Sequence, residues 1–304
     1  MEILDYQNEM LEDVVSIYNK AMKDVPNCWP VSETEFSGAV AAVTGGHSDG
    51  GPIVNNQFLS VATVAGKIVG FLHGGVDRGK SEKAPPRGAI CHLNYDRGFR
   101  AAGQMLLEKT EQLFAKESLS DVCAFNADYR YRFYCFPHSY LSDHLDHVNA
   151  LLQFNNYRTT GGEVFLNGLD YTTTELPNVD LEYELTVSWP QGIGRKSGCI
   201  VKAFCDNTEI GQCQIKCGGD FSKHEEAQDY GFVDWLGVEE DFQRCGLGKL
   251  LLSKARNEML DIGYRHTAIS TARDNYRAFL FYSNYGYRVV DWTYQLSKSL
   301  DGSA

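Results

Sequence analysis

Six consecutive residues, Gln243-Arg244-Cys245-Gly246-Leu247-Gly248, stand where a β-rich run ending at Val238 gives way to a helical pattern. Glycines let main-chain N–H groups approach an anion closely, and the first turn of a helix adds partial positive charge. The junction therefore has the makings of a pyrophosphate socket, with Arg244 and Lys249 as cations beside it. It is neither of two other phosphate loops: it lacks the G-x-G-x-x-G and downstream acidic residue of a Rossmann turn, and the Gly-Lys-Ser/Thr of a P-loop. Downstream, Asn275, Ala278, Tyr282 and Tyr285 are spaced to share one helix face. Upstream, Asp234 interrupts an apolar run four residues before Val238, so strict alternation puts both on one sheet face.

Gln243, Gly246 and Gly248, followed by Leu251-Leu252, meet the pattern Q/R-x-x-G-x-G/A, and Trp235-Leu236-Gly237-Val238-Glu239 precedes it. Asn275-Tyr276-Arg277-Ala278-Phe279-Leu280-Phe281-Tyr282 with Tyr285-Gly286-Tyr287 follows. In this order the segments resemble the GNAT N-acetyltransferase superfamily. The resemblance implies acetyl-CoA as cosubstrate, with its pantetheine arm on the main chain of Leu236, Gly237 and Val238 and its pyrophosphate at Gln243 to Lys249. It also implies that Asn275 bonds the pantetheine or adjacent main chain, although the same residue is a natural helix N-cap. Tyr282 becomes the acid for the departing thiolate, a task for which a phenol of pKa near 10 is already protonated at neutral pH. The resemblance asks for a carboxylate base on the preceding strand. Asp234 is the candidate, with Asp229 next, and a rim residue facing water is the other reading of Asp234.

The elements that would position these groups recur twice. In the first half, strands at Met1 to Tyr6, Phe58 to Val64, Ile68 to Val76, Gly88 to Asn94, Asp121 to Phe125 and Glu163 to Leu166 are interleaved with helices at Glu9 to Met22, Ser32 to Val43, Ala102 to Lys116 and Ser142 to Asn155. Ser32 and Glu35 have the form of a capping box. The polar stretch Tyr171 to Asp180 is read as a boundary, giving domains 1–174 and 175–304. Beyond it come strands at Glu182 to Ser188, Cys199 to Cys205, Ile210 to Cys217 and Phe232 to Val238, a helix from Gly248 to Ile262, a strand at His266 to Ser270 and a helix from Asn275 to Asn284. The expected fold is α/β with a mixed sheet, as two GNAT-like acyl-CoA N-acyltransferase domains of which the second lacks the two opening helices. Aligning Leu106-Leu107 with Leu251-Leu252 puts Gly103, Ala101 and Gly98 at the places of Gly248, Gly246 and Gln243. The first motif is degraded, so the first half is expected to keep the fold, brace the second and wall the acceptor site.

Composition bounds the partners. With 304 residues, 43% of them hydrophobic, and a net charge of −12, the chain repels phosphate backbones and anionic lipid, and an acidic cleft would draw a small cationic amine. Nucleic acid and membrane are not expected as partners; a homodimer is left open. The acidic start and the lack of long apolar runs point to a cytoplasmic protein. Nine cysteines, an odd number without C-x-x-C spacing, point to a reducing compartment and no zinc. Cys199, Cys205, Cys213 and Cys217 read as small core residues, and His138, His144 and His147 with Asp143 and Asp146 as a polar face rather than a metal site. The run Tyr129-Arg130-Tyr131-Arg132-Phe133-Tyr134 reads as a loop lining the acceptor site or packing on the other half. Two further functions stay open: a non-catalytic acyl-CoA sensor or scaffold, and transfer from an aminoacyl-tRNA, which suits neither the charge nor the CoA motif.

Overall fold

The computed structural model describes residues 1–79 and 84–300. The chain folds into two compact units, the first formed by Met1–Glu163 together with the segment from Asp291 onward, the second by Val164–Val290.

In the first unit the order is β1 (Glu2–Asp5), α1 (Leu11–Met22), α2 (Glu33–Val40), β2 (Asn55–Val64), β3 (Lys67–Asp77), β4 (Arg87–Tyr95), α3 (Arg100–Lys116), β5 (Asp121–Ala124), β6 (Leu141–Ser142), α4 (Asp146–Phe154) and β7 (Arg158–Gly161). Strands β1 to β4 pair antiparallel in sequence, and β4 pairs β5 parallel. Helices α1 and α3 both pack on β3 and β4, and those strands are buried almost without interruption, as a sheet covered on both faces requires. Helix α2 starts at the capping box foreseen in the sequence, with Ser32 accepting from the Glu35 N–H and Glu35 reaching back.

The second unit contains β8 (Glu163–Gly168), β9 (Glu184–Ser188), β10 (Cys199–Cys205), β11 (Thr208–Cys217), β12 (Tyr230–Val238), α5 (Leu247–Asp261), β13 (His266–Ala272), α6 (Tyr276–Asn284) and the start of β14 (Arg288–Ser299). Its strand order is β8-β13-β12-β11-β10-β9, antiparallel from β9 to β12 and parallel between β12 and β13. Among the described residues no α-helix precedes α5 here. The missing cover shows in the burial pattern. Helix α5 packs on β10, β11 and β12, yet β10 and β11 alternate between buried and half-buried positions, the mark of a sheet with one face covered.

The units divide elsewhere than at residues 174 and 175. The polar stretch taken for a linker is docked on α5: Thr174 exchanges two hydrogen bonds with the Asn257 side chain at 2.9 and 2.8 Å, and Arg256 lies over the buried Tyr171 ring. The last strand was not foreseen. Its residues Leu296–Ser299 pair antiparallel with β5 and complete the first unit's sheet.

Candidate functional site

Strand β12 departs from regular alternation at one residue. Gln214 of β11 faces Trp235 and Ile215 faces Val233, which leaves Asp234 as the extra residue of a β-bulge. Parallel pairing with β13 runs from Tyr230 to Val233 and stops there. Beyond the bulge, Trp235 to Val238 are free of β13 and form one wall of a cleft of ≈ 610 Å3. The opposite wall is the face of α6 that carries Ala278, Tyr282 and Tyr285, and Gly246, Gly248 and Lys249 line the end formed by the start of α5.

The loop into α5 is shaped as an anion site. Arg244 and Gly246 both adopt left-handed backbone, at φ 66° and 95°. Gly246 occupies the N-cap without a side-chain hydrogen bond, and the first turn holds no acidic residue. The leading N–H groups of α5 thus have no side-chain acceptor. A Cβ on Gly248 would meet nothing nearer than Val238 Cγ2 at 3.7 Å, so the fold itself tolerates a side chain there.

Gln243 ties the two walls together. Its Nε2 donates to the Val238 carbonyl at 2.8 Å, and its Oε1 accepts from Arg277 Nη2 at 3.1 Å. Asn275 caps α6, its Oδ1 accepting from the Ala278 N–H at 3.2 Å, and it also lines the cleft. Tyr282 is buried, with its ring edge-on to Phe281 and Tyr287. Burial pushes its hydroxyl well above the ordinary tyrosine pKa.

Of the residues singled out in the sequence, Leu236, Gly237, Val238, Gln243, Arg244, Gly246, Gly248, Lys249, Asn275 and Tyr282 meet at this cleft. Cys245 and Leu247 belong to the loop but not to the wall: Cys245 turns its thiol to the Phe242 carbonyl, and Leu247 is buried. Asp234 is not on the wall either. The bulge breaks the parity that was to align it with Val238, and its carboxylate lies 2.9 Å from Lys216 Nζ. Asp229 pairs with Lys196. Trp235, Arg277, Phe281 and Tyr285 line the cleft and were not singled out as site residues; the i, i+3, i+7 spacing from Asn275 marks the helix face, but only the register of the bulge brings Trp235 onto the wall.

The first unit repeats the frame without these groups. Its bulge falls at Cys91, since His73 faces His92 and Gly74 faces Ile90, and parallel pairing of β4 with β5 ends at Ile90. The buried Cys91 thus stands where Asp234 does. Tyr157 N–H bonds the Leu152 carbonyl just as Tyr287 N–H bonds that of Tyr282, so Leu152 stands in the place of Tyr282. Gly103 faces the last residue of its strand, as Gly248 does. There a Cβ would lie 2.5 Å from the Tyr95 ring and 2.9 Å from Leu151, so this glycine serves packing. Ala101 is helical and needs no positive φ; the left-handed turn has moved to Gly98.

The remaining signals resolve as structure. Tyr129, Tyr131, Phe133 and Tyr134 are buried inside the first unit itself, which corrects their reading as an acceptor-site loop or a contact surface. His147 bonds the Tyr95 carbonyl and Asp146 pairs with Arg97. Cys199, Cys213 and Cys217 are buried. Among the described residues no group of three His, Cys, Asp or Glu is arranged to hold a metal, and no helix is long and apolar enough to cross a membrane.

A strand splayed at a bulge, an uncapped helix behind a left-handed glycine, and a tyrosine-bearing helix opposite form the frame of one cleft. Residues 169–287 match the Acetyltransferase (GNAT) family. Among solved structures, the whole chain is similar to a tandem GNAT protein from the clavulanic acid biosynthesis pathway, with a TM-score of 0.67, 14% identity and 99% of that chain covered. It is also similar to a GCN5-related glucosamine N-acetyltransferase region of a fungal multi-domain β-N-acetylglucosaminidase, with a TM-score of 0.64 and 14% identity over 98% of this chain and 38% of that one. A GCN5-related N-acetyltransferase from Sphaerobacter thermophilus follows with a TM-score of 0.59 and 10% identity, over 100% and 96% of the two chains. No curated protein matches the chain. The fold is therefore a tandem GNAT fold, with mixed α/β sheets in both units.

Proposed function

We propose that the unit Val164–Val290 transfers the acetyl group of acetyl-CoA to a primary amine, a small cationic one in view of the net charge of −12. The observation that carries this reading is the convergence on one cleft of the uncapped α5 N-terminus, the unpaired edge of Trp235 to Val238, and Tyr282. Phosphates at α5 and a pantetheine arm along the strand edge would lead the thioester toward the α6 face.

The amine nitrogen attacks the acetyl carbonyl, the C–S bond breaks, and the electron pair leaves on sulfur. Tyr282 then donates its hydroxyl to the thiolate. A thiolate whose conjugate acid has a pKa near 8.5 is a weaker base than a phenolate above 10, so the phenol stabilises it by a hydrogen bond rather than by complete proton transfer. The amine's proton passes to water, with Asp234 at the bulge as the base candidate on β12 once Lys216 releases it. The first unit, with Leu152 and Cys91 at the corresponding places, is non-catalytic.

One observation favours a second reading, a non-catalytic acyl-CoA sensor: no carboxylate lines the cleft among the described residues. The test is an amine panel assayed for CoA thiol release, with acetyl-CoA binding measured separately by calorimetry. Thiol release dependent on one amine class supports the enzyme; binding without release from any amine supports the sensor.

A further inference from the structure

Of the nine free cysteines, two lie on separate elements of the first unit with their sulfurs in contact. Cys28, half-buried after α1, places its Sγ 3.0 Å from Sγ of the buried Cys135, across 107 residues of sequence. The contact is built. The Cys135 N–H donates to Cys28 Sγ at 3.2 Å, which fixes that sulfur against the loop. Cys135 itself is held in left-handed backbone at φ 54°, which turns its side chain back toward Cys28. Arg130, in the same loop, anchors its Nη1 on the carbonyls of Tyr131, Arg132 and Tyr134, and its charge acts on both thiols. Burial, the Cys28 thiol and the Asp291 carboxylate push the Cys135 thiol up against the opposing charge of Arg130, and the half-buried Cys28 is the more accessible of the two.

We infer that Cys28 and Cys135 are a redox-modification site, closing to an intramolecular disulfide when the protein meets a peroxide. The Cys28 thiolate attacks one peroxide oxygen, the O–O bond breaks, and Cys28 becomes a sulfenic acid as hydroxide leaves. The Cys135 sulfur then displaces the sulfenic oxygen as water, and the peroxide has been reduced by the two electrons the thiols lost. The bond ties the segment after α1 to the aromatic loop that fills the first unit's core, constraining the unfolded chain across a long loop. The other thiols of the sheets, Cys91, Cys123, Cys199, Cys213 and Cys217, are all buried, so none offers a half-exposed sulfur to an oxidant as Cys28 does.

The test treats the folded, reduced full chain with equimolar hydrogen peroxide, blocks remaining thiols, and maps peptides without reductant. The expected result is a Cys28–Cys135 linked peptide that a dithiol dissolves, formed before any oxidation of the exposed Cys245, with Tm raised by several degrees in the oxidised protein. Cys135→Ser should abolish the link and leave Cys28 as a trapped sulfenic acid. Oxidation of Cys245 alone, or a link that forms only after denaturation, would overturn the inference, and the wild-type map decides it even if the variant does not fold.

Discussion

Gln243 Nε2 donates to the carbonyl of Val238 at 2.8 Å while its Oε1 accepts from Arg277, so one side chain joins the end of β12, the loop into α5 and α6. A glutamine that only touched phosphate could be replaced by any donor; this one sets the spacing of the cleft walls. Gln243→Ala removes two hydrogen bonds of about 1 kcal/mol each. The expected outcome is roughly a ten-fold weaker acetyl-CoA binding by calorimetry, with kcat changed less than KM.

The two motif glycines separate by cause. Gly246 is at φ 95°, so Gly246→Ala strains the backbone and lowers stability by about 1 kcal/mol as well as weakening CoA binding. Gly248 has room for a methyl group, with its nearest neighbour at 3.7 Å. Gly248→Ala should leave both the thermal transition and CoA binding in place, since the pattern Q/R-x-x-G-x-G/A admits alanine at that position. Paired calorimetric and thermal-shift measurements on both variants check the split.

Gly103, the counterpart of Gly248, behaves in the opposite way. A methyl group there collides with Tyr95 and Leu151, so Gly103→Ala should destabilise the first unit by about 1–3 kcal/mol in urea titration. Acetyl-CoA affinity at the α5 cleft should be unchanged.

Asp291 supplies a pH test. Burial raises its carboxyl to about 6, against hydrogen bonds from Ser142 and Asp143 that favour the ionised form. A carboxyl with a raised folded pKa stabilises the fold fully below its unfolded value near 3.9, and that contribution is lost as pH rises through about 6. Asp291→Asn should therefore raise stability relative to wild type at pH 8, by an amount on the order of 2 kcal/mol, and change little at pH 4. Urea titrations of both proteins across that range measure the difference.

The glycine turn into α5 and the α6 face were legible in the sequence because their requirements are local: glycine at a left-handed N-cap, and residues repeating on one face of a helix. Asp234 was misplaced because alternation assumes an unbroken strand, and the bulge depends on pairing with β11. The division of the chain was hidden for a related reason. Polar composition at Thr172 to Thr174 resembled a linker, but Asn257 bonds both main-chain groups of Thr174, and β14 completes a sheet begun far upstream. The aromatic run at Tyr129 to Tyr134 carried arginines that suggested a surface; Arg130 instead spends its donors on the loop's own carbonyls.

In the proposed reaction Tyr282 assists departure of the CoA thiolate in the second unit. Tyr282→Phe keeps the ring packed against Phe281 and Tyr287 and removes only the hydroxyl. With the amine that the panel identifies as acceptor, thiol release should fall by roughly 10²-fold or more in kcat while calorimetric affinity for acetyl-CoA stays within about two-fold of wild type. An unchanged kcat in a variant that binds acetyl-CoA normally would contradict the account.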